Sequence, residues 1–172
     1  MFEATVAVYT VCQITPQLLK SMDVSGLLLD LDNTLTTHDN HMPAKGVPQW
    51  IDEMKQHGFG LIIVSNNCEE RVKPFASMLG LPFVSGGKKP LSKGFNEAQK
   101  RLDIPFKNLA VVGDQIFTDI LGANLKHLKS IYVDPIEHEG TPFFKLKRRL
   151  EIPFLPKRKI DIPMFIEKKD KK

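Results

Sequence analysis

Cysteine is scarce in this sequence, and so are long apolar runs. The 172-residue chain has two cysteines, Cys12 and Cys68, which fit neither a disulfide framework nor a metal-binding pattern, so both are expected to be reduced thiols. Residues 1–19 lack a basic segment, and their apolar stretch is too short and interrupted for a signal peptide or a membrane span. These features predict a cytoplasmic protein. The five histidines show no metal-ligand spacing, and no internal repeat is present.

Charge is distributed unevenly along the chain. The net charge is +4, but the segment from Lys145 to the end has eleven Lys and Arg against four Asp and Glu, a local +7. A chain of this length can bury a core without disulfide bonds. We therefore predict one domain over residues 1–140, which includes a short helix over 15–22, and a basic, proline-containing extension over 141–172.

The extension has two interpretations. A charged segment with several prolines is usually solvated and partly disordered, and this is the expectation we favour. However, apolar residues alternate there with basic ones and could form a short amphipathic segment suited to anionic lipid or RNA. The apolar residues are Phe143, Phe144, Leu146 and Leu150.

Apolar, β-branched runs alternate with stretches of helical length. The runs predict strands over 26–31, 59–66, 81–85, 109–114 and 129–134. Such alternation is typical of an α/β fold with a parallel five-stranded sheet and helices on both faces. Because Pro74 lies inside the segment 68–79, we expect a broken or late-starting helix there.

Polar side chains gather where the predicted strands end. Asp30 and Asp32 follow the first strand, Ser65 and Asn66 end the second, and Asp114 ends the fourth. In an open parallel sheet the ligand binds beyond the carboxyl ends of the strands, at the switch point in strand order. These residues therefore predict a site at that edge.

The residue types at this edge suit phosphoryl transfer. Two like unit charges about 4 Å apart cost roughly 4 kcal/mol at an effective dielectric of about 20, so a carboxylate needs a cation to approach a phosphate dianion. Mg²⁺ prefers oxygen ligands and commonly binds one or two carboxylates together with phosphate oxygens. Asp30 and Asp114 could supply those carboxylates.

Three other interpretations fit the sequence less well. Asp30 and Asp32 could simply cap a turn, but an acid pair after a buried strand is costly without a partner. A calcium loop also begins D-x-D, but its sixth position here is Leu35 instead of glycine and its twelfth is His41 instead of glutamate. A phosphoryl-accepting receiver domain would need an aspartate after the third strand, where the chain reads FVSGGKKP.

Four motifs resemble those of the haloacid dehalogenase-like (HAD) superfamily of aspartate-nucleophile phosphatases. They are DLDNT, VSNN, KKP and VGDQIFTD, in that order, within about residues 26 to 134. The whole-chain pattern, including ITPQLLK and NNCEERVKPFASMLG, is similar to the YqeG-like subgroup, which is related to mitochondrial phosphatidylglycerophosphate phosphatases. The resemblance implies a three-layer, Rossmann-like HAD fold.

The resemblance also implies a role for each motif residue. Asp30 would be the nucleophile that forms an aspartyl-phosphate, and Asp32 would be the general acid and base, with its backbone carbonyl on Mg²⁺. Lys89 is preferred to Lys88 for phosphate binding because the family lysine commonly precedes proline. The remaining implied roles are phosphate binding for Ser65 and Asn66, metal binding for Asp30 and Asp114, and a supporting role for Thr34 and Asp119.

The gaps between the motifs leave no room for a cap domain. Residues 35–64 and 66–88 are consumed by the crossovers that parallel strands require. An open site favours a bulky or lipid-borne phosphomonoester, with phosphatidylglycerophosphate as the first candidate. A phosphoprotein, a nucleic-acid end, or a small metabolite in a site covered by oligomerisation would also fit. The alternative function is a catalytically weak scaffold whose basic tail binds RNA, a membrane or a protein.

Overall fold

The computed structural model describes residues 1–137 and 140–163, so the end of the predicted extension, 164–172, lies outside the described residues. The strands and helices alternate along the chain. The strands are β1 Val6–Ala7, β2 Gly26–Leu29, β3 Gly60–Val64, β4 Phe83–Val84, β5 Leu109–Gly113 and β6 Lys129–Tyr132. The helices are α1 Pro16–Ser21, α2 Val47–Gln56, α3 Glu69–Leu79, α4 Ser92–Leu102, α5 Leu121–Leu125 and α6 Pro142–Glu151.

The strands form one parallel sheet in the order β1-β6-β5-β2-β3-β4. The predicted α/β class and parallel pairing are confirmed, but the predicted number of five strands is wrong. The sixth strand, β1, has two residues that pair with Ile131 and Tyr132 of β6. A strand this short has no periodicity to detect, and its partner lies more than 120 positions further along the chain.

The sheet is buried on both faces, which explains its uninterrupted apolar strands. Leu27 and Leu29 of β2 pack into a core formed with α1, α2 and α3. Leu28, which points the other way, packs with Phe95 of α4 and Ala123 of α5. The result is the predicted three-layer arrangement.

The helix α3 is continuous, contrary to the prediction of a broken or late-starting helix in the segment 68–79. It runs unbroken from Glu69 to Leu79 with Pro74 inside it, so the expected break is wrong. Proline removes one backbone hydrogen bond and crowds the preceding turn. Burial of Val72 and Phe75 along one face offsets that cost. The short helix predicted over 15–22 is confirmed as α1, where the Thr15 side chain accepts a hydrogen bond from the Leu18 N–H at 3.1 Å.

The chain connections match the expectation of an uncapped fold. The chain passes from β2 to β3 and β4 on one side and then returns to β5 on the other side of β2, so the switch in strand order lies between β2 and β5. A loop and α2 join β2 to β3, and α3 joins β3 to β4, with no further domain inserted in either connection. No helix in the described ranges combines the length and apolar character needed to span a membrane.

Candidate active site

The acidic residues that follow β2 and β5 meet at the switch point. Asp30 comes directly after β2 and Asp114 directly after β5, and the two strands are hydrogen-bonded neighbours. The Asp30 N–H donates to the Val112 carbonyl at 2.9 Å, which extends the ladder up to the site. Sheet pairing therefore brings together two carboxylates that are more than 80 positions apart in the sequence.

The loop after β2 is buried and locally hydrogen-bonded. The hydroxyl of Thr34 donates to Asp30 Oδ2 at 3.2 Å and lies 3.5 Å from Asp114 Oδ1. Asn33 adopts a left-handed conformation with φ of 62°, which turns the chain back over the strand end. Thr34 thus lies between the two acids that end the neighbouring strands.

Lys89 is buried between two carboxylates. Its Nζ lies 2.5 Å from Asp30 Oδ1 and 2.7 Å from Asp119 Oδ1, and 3% of its side chain is exposed. Burial acts to lower the lysine pKa, but the charges of Asp119 and Asp30 outweigh it and raise the pKa above its ordinary value. Lys88 is exposed, so the structure brings Lys89 and not Lys88 to the acids.

The residues that end β3 hold the Lys89 loop. The Asn66 side chain accepts a hydrogen bond from the Lys89 N–H at 2.7 Å and donates to the Lys89 carbonyl at 3.0 Å. The buried Ser65 hydroxyl accepts from the Asn67 N–H at 3.1 Å. The Asn66 amide is therefore occupied by the lysine backbone, and phosphate binding by Ser65 and Asn66 stays a prediction.

Three buried carboxylates form a group suited to a metal ion. One oxygen each from Asp30, Asp114 and Asp119 lies within 4.8 Å of the others. Burial raises the pKa of Asp114 well above its ordinary value, and the neighbouring acids add to this while Arg148 opposes it. Burial also raises the pKa of Asp119 to about 6. An all-oxygen group with this mutual repulsion fits a hard divalent cation such as Mg²⁺.

A single π-helical turn, Ile116–Ile120, places Asp119 in this group. The Asp119 carboxyl accepts a hydrogen bond from the Gln115 N–H at 3.2 Å. It also packs directly on Gly113, where an added Cβ would overlap the carboxyl group. Glycine at the end of β5 is thus a condition for the approach of Asp119.

Asp32 has a different environment from Asp30. Its Oδ1 lies 2.8 Å from a terminal nitrogen of Arg71, and its Oδ2 accepts a hydrogen bond from the Asn67 side chain at 2.5 Å. The same Arg71 nitrogen donates to the carbonyl of Thr37 at 3.2 Å. Arg71, in the first turn of α3, therefore orients Asp32 and ties the loop after β2 to α3.

The helix α6 contacts the loop that carries Asp114. One Arg148 nitrogen donates to the Asp114 carbonyl at 2.9 Å and the other pairs with the Asp114 carboxylate. The fully buried Glu151 accepts a hydrogen bond from the Phe117 N–H at 3.1 Å. One turn before Arg148 on the same helix, the Phe144 ring contacts His38 of the loop after β2, with ring centroids 5.2 Å apart.

Comparison with known families agrees with this geometry. Residues 22–125 match the model of the haloacid dehalogenase-like hydrolases. The chain belongs to this family. It is an enzyme, a phosphatase of the HAD type.

This HAD phosphatase is similar in sequence to two named phosphatases. It is 38% identical over 144 residues to "Probable phosphatase YqeG" of Bacillus subtilis, which covers 84% of each chain. It is 27% identical over 143 residues to phosphatidylglycerophosphate phosphatase 1, chloroplastic, of Chlamydomonas reinhardtii, which covers 77% of this chain and 53% of that protein. The predicted family and subgroup are confirmed.

Solved structures share the fold of this HAD phosphatase. An uncharacterized protein from Listeria monocytogenes serotype 4b superposes with a TM-score of 0.57 at 20% identity, over 69% of this chain and 85% of that one. The HAD-hydrolase YfnB from Bacillus subtilis, solved bound to magnesium, gives a TM-score of 0.50 at 22% identity, over 61% of this chain and 50% of that one.

Several residues of this site are not among those predicted from the sequence, Arg71, Arg148 and Glu151 among them. Arg71 belongs to the motif NNCEERVKP but has the appearance of a charge on a helix surface, and the motif itself is the only signal that could have pointed to it. Arg148 and Glu151 fall in the extension expected to be solvated, with a short amphipathic segment as the alternative. The structure has the helix α6 there, and this helix contacts the site. The domain boundary at 140 stays a prediction.

Proposed function

We propose that this enzyme hydrolyses phosphomonoesters through an aspartyl-phosphate intermediate on Asp30. The Asp30 carboxylate attacks phosphorus as the bond to the leaving oxygen breaks, and water then cleaves the acyl phosphate to regenerate the carboxylate. The observation that carries this proposal is the contrast between two neighbouring acids. Asp30 pairs with Lys89 and is one of the three clustered carboxylates. The Asp32 carboxylate is bound instead by Arg71 and Asn67.

The surroundings of Asp30 support a role in bringing phosphate to the carboxylate. The buried ammonium of Lys89 would pair with phosphoryl oxygens next to the nucleophile, where Thr34 orients the second carboxylate oxygen. A buried cation in this position offsets the repulsion between carboxylate and phosphate. Ser65, also buried at this edge, is a further donor for the phosphoryl oxygens.

Asp30, Asp114 and Asp119 are the residues that would hold Mg²⁺, with the backbone carbonyl of Asp32 as a further ligand. The ion would supply positive charge that stabilises the transferring phosphoryl group. The three buried carboxylates need such a charge to stay ionised together, as the raised pKa values of Asp114 and Asp119 indicate.

The position of Asp32 supports its role in proton transfer. General acid catalysis requires a carboxyl group near the leaving oxygen but outside the attacking position. Asp32 is two residues from the nucleophile on a buried loop, and its carboxylate is oriented by side chains from the start of α3 and the loop before it. In this mechanism Asp32 gives a proton to the leaving oxygen and later takes one from the attacking water.

We further propose a bulky or lipid-borne substrate, with phosphatidylglycerophosphate as the first candidate. No inserted domain covers the site in the described part of the chain, and two relatives carry the name of this activity. A cavity of about 1090 Å³ lies along α6. It is lined by apolar residues such as Leu146 and Leu155 and by basic residues such as Arg149. Arg148 lines the cavity and contacts Asp114.

The outer surface of α6 supports peripheral contact with an anionic membrane from the cytoplasm. Phe143, Leu146 and Leu150 are 71%, 60% and 57% exposed, and Lys145 and Arg149 are exposed between them. Exposed apolar side chains flanked by basic ones are typical of helices that lie in a membrane interface. Basic residues near such a membrane contribute about 1 kcal/mol each at low salt.

A phosphoester panel tests the substrate. Sugar phosphates, nucleotides, phosphopeptides and phosphatidylglycerophosphate in mixed micelles would be assayed with Mg²⁺, and Asp30→Asn serves as the blank for contaminating activity. We expect the highest kcat/KM for the lipid. Higher kcat/KM for a small soluble ester would overturn the lipid proposal and leave the mechanism in place.

Vesicle co-sedimentation tests the membrane surface. Replacing Phe143 and Leu146 by Asp should lower binding to phosphatidylglycerol vesicles several-fold, because it removes apolar area and adds repulsion. Leu125→Asp is the control, since Leu125 is an exposed leucine, 52% exposed, on a different helix, α5. Binding that is equal for the variants, or insensitive to salt, would contradict this proposal.

A further inference from the structure

We propose that Arg148 is a positioning residue for Asp114, so that the C-terminal helix α6 is a working part of the phosphatase site. The inference rests on the proposed function, in which Asp114 is a metal ligand. It assigns to α6 a role that is distinct from contact with a membrane.

The contact between Arg148 and Asp114 has two points. One guanidinium nitrogen donates to the Asp114 backbone carbonyl at 2.9 Å, and the other pairs with Oδ2 of its carboxylate. A guanidinium is planar and rigid, so two simultaneous contacts define the rotation of the carboxylate as well as its position. A single flexible cation would not do this.

The geometry divides the two carboxylate oxygens between two tasks. Oδ2 is held by Arg148, while Oδ1 faces the Thr34 hydroxyl at 3.5 Å, on the side of Asp30. Oδ1 is thus directed towards the acidic group that suits a metal ion. Arg148 would keep this oxygen available by occupying the other.

Glu151 holds Arg148 in position. Its fully buried carboxylate accepts from an Arg148 nitrogen at 3.1 Å and from the Phe117 N–H at 3.1 Å. A buried carboxylate is stable only when it is paired and hydrogen-bonded, and these two donors satisfy it. Because Phe117 belongs to the π-helical turn that carries Asp119, Glu151 fastens α6 to the same loop.

Arg148 also neutralises negative charge at the site. Lys89 pairs with Asp30 and Asp119, and Arg148 pairs with Asp114. Each acid of the group therefore has a basic partner before metal binds. Without Arg148, Asp114 would be a fully buried carboxylate next to two other acids.

The test measures Mg²⁺ affinity directly, by titration calorimetry and by the Mg²⁺-dependent rise in melting temperature of the full chain. We expect Arg148→Ala to weaken Mg²⁺ binding about tenfold to 100-fold, as is typical when a partner of a metal ligand is removed. Arg148→Lys should restore little, because an ammonium keeps the charge but cannot bind both Asp114 atoms. Arg158→Ala is the matched control, an exposed arginine that follows α6, and should stay within about twofold of the parent.

The outcomes are distinguishable. Unchanged or tighter Mg²⁺ binding by Arg148→Ala would overturn the positioning role, and tighter binding would instead mean that the arginine repels the ion. Full rescue by lysine would also overturn it, because charge alone would then suffice. A parent protein that binds no Mg²⁺ would overturn this inference and the metal part of the proposed function together.

A second variant keeps the inference falsifiable if Arg148→Ala does not fold. Glu151→Gln preserves the size of the side chain and an acceptor for the Phe117 N–H, but it weakens the hold on Arg148. We expect a several-fold loss of Mg²⁺ affinity, smaller than that of Arg148→Ala, with kcat lowered more than KM is raised. No change in either quantity would contradict the role of Glu151.

Discussion

The loop after β2 and the helix α6 reach the same site by opposite routes. Residues 26–36 are all buried, and their key contact, from Thr34 to Asp30, spans four positions. In α6 only Glu151 is buried, and its contact with Phe117 spans 34 positions. The first region is built by local sequence at a strand end, whereas the second is brought in by packing. Acidic pairs after buried strands are thus readable as a site, but functional residues on a surface helix are not.

The largest expected effect tests whether the strand-end region carries the chemistry. Asp30→Asn should lower kcat by roughly 10⁴-fold or more, because an amide is a poor nucleophile and the covalent step is lost. Circular dichroism should show an unchanged fold, since the amide fills the same space. Substantial turnover in this variant would move the nucleophile elsewhere.

The second prediction distinguishes the role of Asp32 from that of Asp30 in the same loop. Asp32→Asn should slow turnover by about 10²–10⁴-fold through loss of proton transfer, while Mg²⁺ affinity stays close to that of the parent. This expectation follows because the Asp32 carboxylate is held by Arg71 and is not one of the three carboxylates that would bind the ion, Asp30, Asp114 and Asp119. Rapid-quench measurement of intermediate formation and calorimetry with Mg²⁺ would check the two parts. Loss of Mg²⁺ binding would show that the Asp32 side chain belongs to the metal site.

The third prediction concerns Arg71, which lies on a helix, as Arg148 does, but contacts the loop after β2. Arg71→Gln should lower kcat about tenfold to 100-fold, because small losses of orientation in a catalytic group are costly. Lys73→Gln is the control, two positions away on α3 with 64% of its side chain exposed, and should have no measurable effect. Equal kcat for both variants would show that Asp32 needs no positioning by Arg71.

The smallest effect concerns pH and Asp119. Its folded pKa of about 6 exceeds the ordinary value of 3.8, so the native state holds this proton more tightly than the unfolded chain. This contribution to stability is full below the ordinary pKa and is lost as pH rises through about 6. Metal-free protein should therefore unfold more easily near pH 7 than near pH 5, as urea titrations would measure.

Mg²⁺ should reverse this trend, because it requires the ionised carboxylates. We expect Mg²⁺ affinity to fall by up to about tenfold as pH drops from about 7 to about 5. The variant Asp119→Asn should lose that dependence. A pH dependence that survives in this variant would assign the titration to another group, with Asp114 as the next to examine.

Some features of the site could be predicted from the sequence and others could not. Asp30, Asp114, Ser65 and Lys89 could be predicted to lie at one edge of the sheet, because each follows an apolar run and parallel strands bring such positions together. The choice of Lys89 over Lys88 needed the family motif, because the two lysines have the same charge and only their burial distinguishes them. The predictions that failed involve marginal local signals, namely the two-residue strand β1 and the effect of Pro74 in α3.

The α/β alternation, the uncapped connections and the acids that follow the strands can be read from the sequence, because hydrophobic periodicity and motif spacing are local properties of the chain. The contact of Arg71 with Asp32, and those of Arg148 and Glu151 with the loop of Asp114, exist only in the folded chain. Those contacts depend on how helices pack against a finished sheet. Packing free energy comes from burial and charge pairing between segments that are far apart in sequence, and no local pattern encodes it.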